Sequence, residues 1–194
     1  MDVFYSIDLT IFYFFNYTIS TGFLDRFFSI ITNVHNWYIA YVILIGILLV
    51  KGGRMGRLAV VGIILLIIVT DLTGYRVLKE LFQRARPCIV LPDVLLPIGC
   101  TGAYSFPSNH ALNNFAAAAF FTKLFPGYKT VLFVTASLLA ISRVYLGLHY
   151  PSDIIAGAAI GMVFGYIFAF AILKINDFID RKYKSKDSTV PQDS

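Results

Sequence analysis

Long, predominantly apolar runs constrain this chain more than any other feature. Residues 58–81 form one of them, broken by few polar groups, and comparable runs occupy 23–50, 106–125, 130–148 and 151–173. About 20 apolar residues in helical form match the ~30 Å hydrocarbon core of a bilayer. The runs also lack the dyad alternation of an outer-membrane barrel strand. With 58% hydrophobic and 14% charged residues and a mean hydropathy of +0.74, an ordinary soluble domain is excluded. The expected fold class is therefore all-α, a polytopic membrane helical bundle with five spans.

Residues 4–20 are harder to place, because Asp8 and Asn16 interrupt a Phe- and Ile-rich stretch that breaks at Thr21-Gly22. Two readings stay open: a helix lying in the membrane interface, or a sixth span. No basic n-region or small-residue cleavage site marks a removable signal. Residues 1–176 are expected to make one integral-membrane domain. Residues 177–194, polar and mixed in charge, are expected to form a cytoplasmic tail whose end lacks order.

The net charge is +5, but in a membrane protein the placement of Lys and Arg carries more information than their sum. Lys51, Arg54, Arg57, Lys123, Lys129, Lys174, Arg181, Lys182, Lys184 and Lys186 fall on one side of the expected bundle, ten of the sixteen basic residues. That side is expected to be cytoplasmic, so the opposite face is external, the periplasm in a bacterium. The bilayer, not nucleic acid, is the expected partner, and the oligomeric state stays open. Residues 84–106, the longest connection, then lie outside, and loops of this length are usually functional or disordered. Cys88 and Cys100 both fall in it, and a disulfide or two free thiols fit equally.

Three polar segments converge on the external face. Lys79 and Arg86 are seven residues apart, so both meet one anion if helix persists to Pro87; basic residues at a helix end also simply snorkel. Pro107-Ser108-Asn109-His110 opens the third span, where free N–H groups and the helix dipole favour an anion, and Ser108 serves as cap or hydroxyl donor. Arg143 offers a planar fork to phosphate oxygens. Asp153, four residues beyond His149, can accept the imidazole N–H and leave the other ring nitrogen as a nucleophile. Two His and an Asp could also bind zinc, but Lys79, Arg86 and Arg143 disfavour a cation. Asp71, inside the second span, is expected to hydrogen-bond a neighbouring helix or to support the site.

Taken together, Lys79-x6-Arg86-Pro87, Pro107-Ser108-Asn109-His110 and Ser142-Arg143-x5-His149-x3-Asp153 resemble the three-part signature of the type 2 phosphatidic acid phosphatases, whose site is similar to that of the vanadium haloperoxidases. The resemblance covers about residues 20–175. It departs at Asn109, where the commonest form has Gly, and in an N-terminal region short for six-span members. It implies a metal-independent, cofactor-free lipid phosphatase. In that scheme His149 attacks phosphorus to give a phosphohistidine, Asp153 orients it, and His110 serves as acid and then base. Lys79, Arg86, Ser108, Asn109 and Arg143 bind the phosphate. The substrates so implied are undecaprenyl diphosphate, phosphatidylglycerol phosphate and the 1-phosphate of lipid A. A transporter would explain the bundle and the Gly157, Gly161, Gly165 row, which reads more simply as helix packing. A non-hydrolysing lipid-phosphate-binding protein would not need both His110 and the His149–Asp153 pair.

Overall fold

The computed structural model describes residues 3–187, with side chains described through Lys182. In chain order the helices are α1 (Val3–Tyr13), α2 (Gly22–Thr32), α3 (Tyr38–Val50), α4 (Gly53–Leu72), α5 (Lys79–Phe82), α6 (Pro87–Val90), α7 (Asn109–Leu124), α8 (Lys129–Tyr145) and α9 (Pro151–Asp187). Single π-helical turns, Phe14–Thr18 and Thr73–Leu78, follow α1 and α4.

Among the described residues, three rods are long and apolar enough to cross a membrane: Gly53–Phe82, Pro126–Tyr145 and Pro151–Lys182. The stretch 23–50 is not one straight span, because Gly22–Thr32 and Val34–Val50 meet at a 65° bend. Asn33 makes the corner, its extended backbone ending α2 while its side chain accepts from the His35 N–H at 3.1 Å. The expected third span is also short: α7 has 16 residues, about 24 Å at 1.5 Å per residue, less than the ~30 Å core.

α7 is nevertheless the centre of the bundle, flanked by α4, α8 and α9. Its partner face on α9 is the glycine row. A Cβ at Gly157, Gly161 or Gly165 would collide with the carbonyl oxygen of Ser108, Leu112 or Ala116 respectively. Small residues let the two backbones approach to this distance, as in close-packed membrane helices. Towards the far end, Ala59 and Leu66 of α4, Ala116 and Phe120 of α7, and Ala169 and Ile172 of α9 fill a core. α3 buries none of its residues, and its apolar side chains stand on the outside of the bundle.

Both ends of the chain are tied to the bundle. α9 runs on through Asp187 without a break at residue 176, and Arg54 of α4 pairs there with Asp180 and donates to Asn176 at 2.9 Å. Residues 188–194, the rest of the expected tail, lie outside the described residues. At the other end, the N-terminal segment is anchored to protein on one face, with Asp8, Phe12 and Asn16 buried. Asn16 donates to the carbonyls of Tyr145 (2.7 Å) and Leu95 (2.8 Å) and accepts from the Leu95 N–H (2.9 Å).

The 84–106 connection lies over this end of the bundle. Cys88 and Cys100 form a disulfide. Gly147, in the turn between α8 and α9, has φ +78°, and a Cβ there would strike Val94, Leu95 and Leu96. Glycine at 147 thus supplies both the left-handed turn and the space the loop occupies.

Candidate active site

Lys79 and Arg86 do not meet on a shared helix face. Helix ends at Phe82, where Gln83 takes a left-handed conformation (φ 43°), and Ala85 bridges to Tyr104. The two cations converge instead through the loop. Lys79 Nζ donates to the Tyr104 carbonyl at 2.9 Å, the Ser105 N–H donates to the Arg84 carbonyl at 2.7 Å, and Arg86 Nη1 reaches the Leu148 carbonyl at 3.4 Å. Lys79 and Arg86 are both buried.

Ser108 caps α7, its hydroxyl accepting from the Ala111 N–H at 3.5 Å, while its own N–H donates to the Asp153 carbonyl at 3.1 Å. The start of α7 is thereby locked to the first turn of α9. The next N–H groups of α7 have no intrahelical acceptor, as at any helix start.

The third segment is a closed turn. The Arg143 carbonyl accepts from the N–H groups of both Leu148 (3.0 Å) and His149 (3.2 Å), which explains the fixed spacing between guanidinium and imidazole. Arg143 Nη1 donates to the Thr32 hydroxyl at 2.9 Å. His149 Nδ1 faces Asp153 Oδ2 at 3.5 Å, long for a hydrogen bond. The nearer partners of Asp153 are the Tyr150 N–H on Oδ2 (2.9 Å) and Arg84 Nη1 on Oδ1 (2.7 Å). Burial lowers the His149 pKa to about 4, with Asp153 opposing and the nearby Arg86 and Arg143 reinforcing the shift. The imidazole is therefore neutral at pH 7, as a nucleophile must be.

His110, in the first turn of α7, lies close to Arg143, Arg86, His149 and the Thr32 main chain. Arg86 Nε and Arg143 Nε are buried without a hydrogen-bond partner among the described residues, whereas His149 Nδ1 has Asp153 Oδ2 in front of it at 3.5 Å. An unmade buried hydrogen bond costs about 1–3 kcal/mol, more for a charged group. Such donors beside Lys79 suit an anion with several acceptor oxygens.

Asn109 does not turn its side chain to this cradle. Its amide donates to Asp71 Oδ1 at 3.3 Å, Asn113 donates to the same atom at 2.8 Å, and a Cβ on Gly74 would overlap the Asn109 amide. A side chain larger than Gly is accommodated at 109 because residue 74 has none. Asp71 thus hydrogen-bonds a neighbouring helix, joining α4 to α7.

Sequence reading missed three residues. Thr32, the last residue of α2, reaches Arg143 because α2 packs on α8. Asp8 and Arg84 pair across 2.6 Å, and Arg84 also pairs with Asp153 at 2.7 Å. Burial works against the Arg84 charge, but Asp153 and Asp8 outweigh it and hold its pKa above the usual arginine value. A carboxylate in the ambiguous 4–20 stretch and an arginine two residues before Arg86 were the available signals.

Residues 58–177 match the model of the PAP2 superfamily. This chain belongs to the PAP2 superfamily. The PAP2 match takes in every site residue named above except Asp8 and Thr32. Among similar proteins, the lipid A 4'-phosphatase of Bacteroides thetaiotaomicron is 34% identical over 177 residues, 87% of this chain and 78% of that protein. Phosphatidylglycerophosphatase B of Bacillus subtilis is 31% identical over 116 residues, 54% of each chain. The crystal structure of Aquifex aeolicus LpxE superposes with a TM-score of 0.65 at 27% identity, covering 84% of this chain and 94% of that one. The PAP2 chain described here is thus an integral membrane protein of all-α architecture.

Proposed function

We propose that this chain is a membrane lipid phosphatase that hydrolyses the phosphate or diphosphate head group of a lipid through a phosphohistidine at His149, without a metal. The unpaired buried Nε donors of Arg86 and Arg143, set beside Lys79 and next to the His149–Asp153 pair, carry this reading.

In the first step Nε2 of neutral His149 attacks phosphorus, a P–N bond forms, and the P–O bond to the lipid breaks. His110 gives its proton to the leaving oxygen. In the second step water attacks phosphorus, a P–O bond forms as the P–N bond breaks and returns its electron pair to His149 Nε2, His110 takes the water proton, and phosphate leaves. Lys79, Arg86, Arg143, Ser108 and the first N–H groups of α7 hold the phosphoryl oxygens, acting through position and charge as phosphoryl transfer requires. A divalent cation would meet repulsion from the same three cations.

The site opens at the end of the bundle opposite Lys51, Arg54, Lys123 and Lys129. The positive-inside rule supports a periplasmic site, a bacterial inner-membrane location and a cytoplasmic C-terminus, and the Cys88–Cys100 disulfide in the same external loop agrees with an oxidising compartment. Residues 1–176 act as one phosphatase domain in this reading. The substrate class is a membrane lipid phosphate. Lipid A phosphates lead the panel on the similarity to the Bacteroides protein, with phosphatidylglycerol phosphate and undecaprenyl diphosphate beside them.

The test is phosphate release from these lipids by the full chain in detergent with EDTA, with His149→Ala as control. Release by the wild type and none by the variant is expected. No release from any of them would sink the enzymatic reading in favour of a binding protein, and loss of release with EDTA would restore a metal.

A further inference from the structure

The site residues proposed so far leave one buried group unexplained: the Asp8 carboxylate, 6% exposed and contributed by the first helix of the chain. Asp8 does not stand alone. Its Oδ2 accepts from Arg84 Nη2 at 2.6 Å and from the Ser152 hydroxyl at 2.5 Å, and its Oδ1 accepts from the Ser152 N–H at 2.8 Å. Arg84 turns its other nitrogen, Nη1, to Asp153 Oδ1 at 2.7 Å and to the Ser152 hydroxyl at 2.6 Å. Its guanidinium carbon lies 3.9 Å from the centre of the Tyr150 ring, which Phe12 of α1 also approaches, at 5.9 Å between centroids.

One guanidinium thus spans two buried carboxylates, and only one of them belongs to the reacting pair. We infer that Arg84 and Asp8 are positioning residues for Asp153 and His149, so that the N-terminal helix supplies part of the active site. This rests on the proposed role of His149.

Asp153 has no solvent exposure, and a buried carboxylate must be paired to stay charged. Arg84 supplies that pairing on Oδ1 alone, which leaves Oδ2 turned towards His149. Were the counter-charge placed on Oδ2, Asp153 would be just as well neutralised and His149 would have no acceptor. Asp8 takes the second nitrogen of the fork, which fixes the rotation of the guanidinium, and its grip on the Ser152 N–H fixes the turn that carries Asp153. Arginine is required for this, because a lysine ammonium is a point charge without a rigid two-ended fork. The N-terminal segment is held in register further along by Asn16, which bonds the Tyr145 and Leu95 main chain.

The experiment compares the full-length wild type with Arg84→Lys, Asp8→Asn and the double variant in detergent, on a lipid phosphate that the wild type hydrolyses. Three quantities are read: kcat, the inhibition constant for inorganic phosphate, and the rate at which His149 becomes phosphorylated in a single turnover. Each single variant is expected to lower kcat and the phosphorylation rate by about ten- to hundredfold, since a reacting group misplaced by about 1 Å costs about a hundredfold. Inhibition by inorganic phosphate should stay within about threefold of wild type, since the cradle is intact. The double variant should be little worse than Arg84→Lys, because Asp8 acts through Arg84. Unchanged kcat in Arg84→Lys would overturn the inference, and so would a loss of phosphate inhibition and of thermal midpoint that tracks the loss of kcat, the sign of a mere structural staple. Full turnover by His149→Ala would instead overturn the nucleophile assignment, so the two failures are distinguishable.

Discussion

His149 Nδ1 faces Asp153 Oδ2 across 3.5 Å, while Arg84 grips the other Asp153 oxygen at 2.7 Å. The carboxylate is therefore held beside the imidazole before any substrate binds, and catalytic hydrogen bonds left long in the free enzyme commonly shorten in the reacting complex. Asp153→Asn keeps the shape and removes the charge that would stabilise the reacting imidazole. It is expected to lower kcat by roughly 10²- to 10⁴-fold, the range of a positioned acid–base group, with a small change in KM. Steady-state kinetics on a lipid phosphate check this, and a kcat within twofold of wild type contradicts it.

The buried His149 ring should resist protonation. Its pKa of about 4 means that the neutral, nucleophilic form persists as pH falls from 8 and is lost only as pH passes through about 4. The chain has three histidines, so replacing His35 and His110 with Gln leaves a single ring to follow by carbon-13 NMR. A neutral-ring signal at pH 5 is expected, whereas a midpoint near the ordinary imidazole value of about 6.5 would contradict it.

Thr32 joins the bent α2–α3 arm to the site through its 2.9 Å contact with Arg143. Thr32→Val removes the acceptor at nearly constant volume. A hydrogen bond to a charged group contributes about 1.5–3 kcal/mol, so kcat/KM should fall by about ten- to hundredfold. Steady-state kinetics give this number, and an unchanged kcat/KM would show that Arg143 needs no such support.

The α7–α9 contact should tolerate no added atom. Gly161→Ala drives a methyl group into the Leu112 carbonyl, and overpacking of this kind costs about 1–3 kcal/mol. Gly46, on the outward α3, has nothing within 4 Å of an added Cβ, so Gly46→Ala should be neutral or stabilising. Thermal unfolding of both variants in detergent tests the contrast.

Much of the site was readable in sequence where its geometry is local. Arg143, His149 and Asp153 lie on one closed turn and the helix turn after it, and Ser108 carries its role as a cap in its position before α7. Helix packing by the Gly157, Gly161, Gly165 row was readable for the same reason, since the period of four residues puts one face towards α7. What stayed hidden depends on long-range tertiary contact. Lys79 and Arg86 meet through a loop bridge between Ala85 and Tyr104 that no helical period reveals. Thr32 enters the site by the packing of α2 on α8, and Asp8 by the docking of α1 on the start of α9. Asn109 resembled a phosphate ligand by its place in the motif, but its amide was drawn to Asp71 across the space left by Gly74.

The most direct measurement is to trap the phosphoryl group. The wild type is mixed with a lipid phosphate labelled in its head group, quenched in denaturing alkali where phosphohistidine survives, and digested to locate the label. Label on the peptide carrying His149, absent from His149→Ala, is the predicted result. Label on another residue, or turnover by His149→Ala at the wild-type rate, would contradict it.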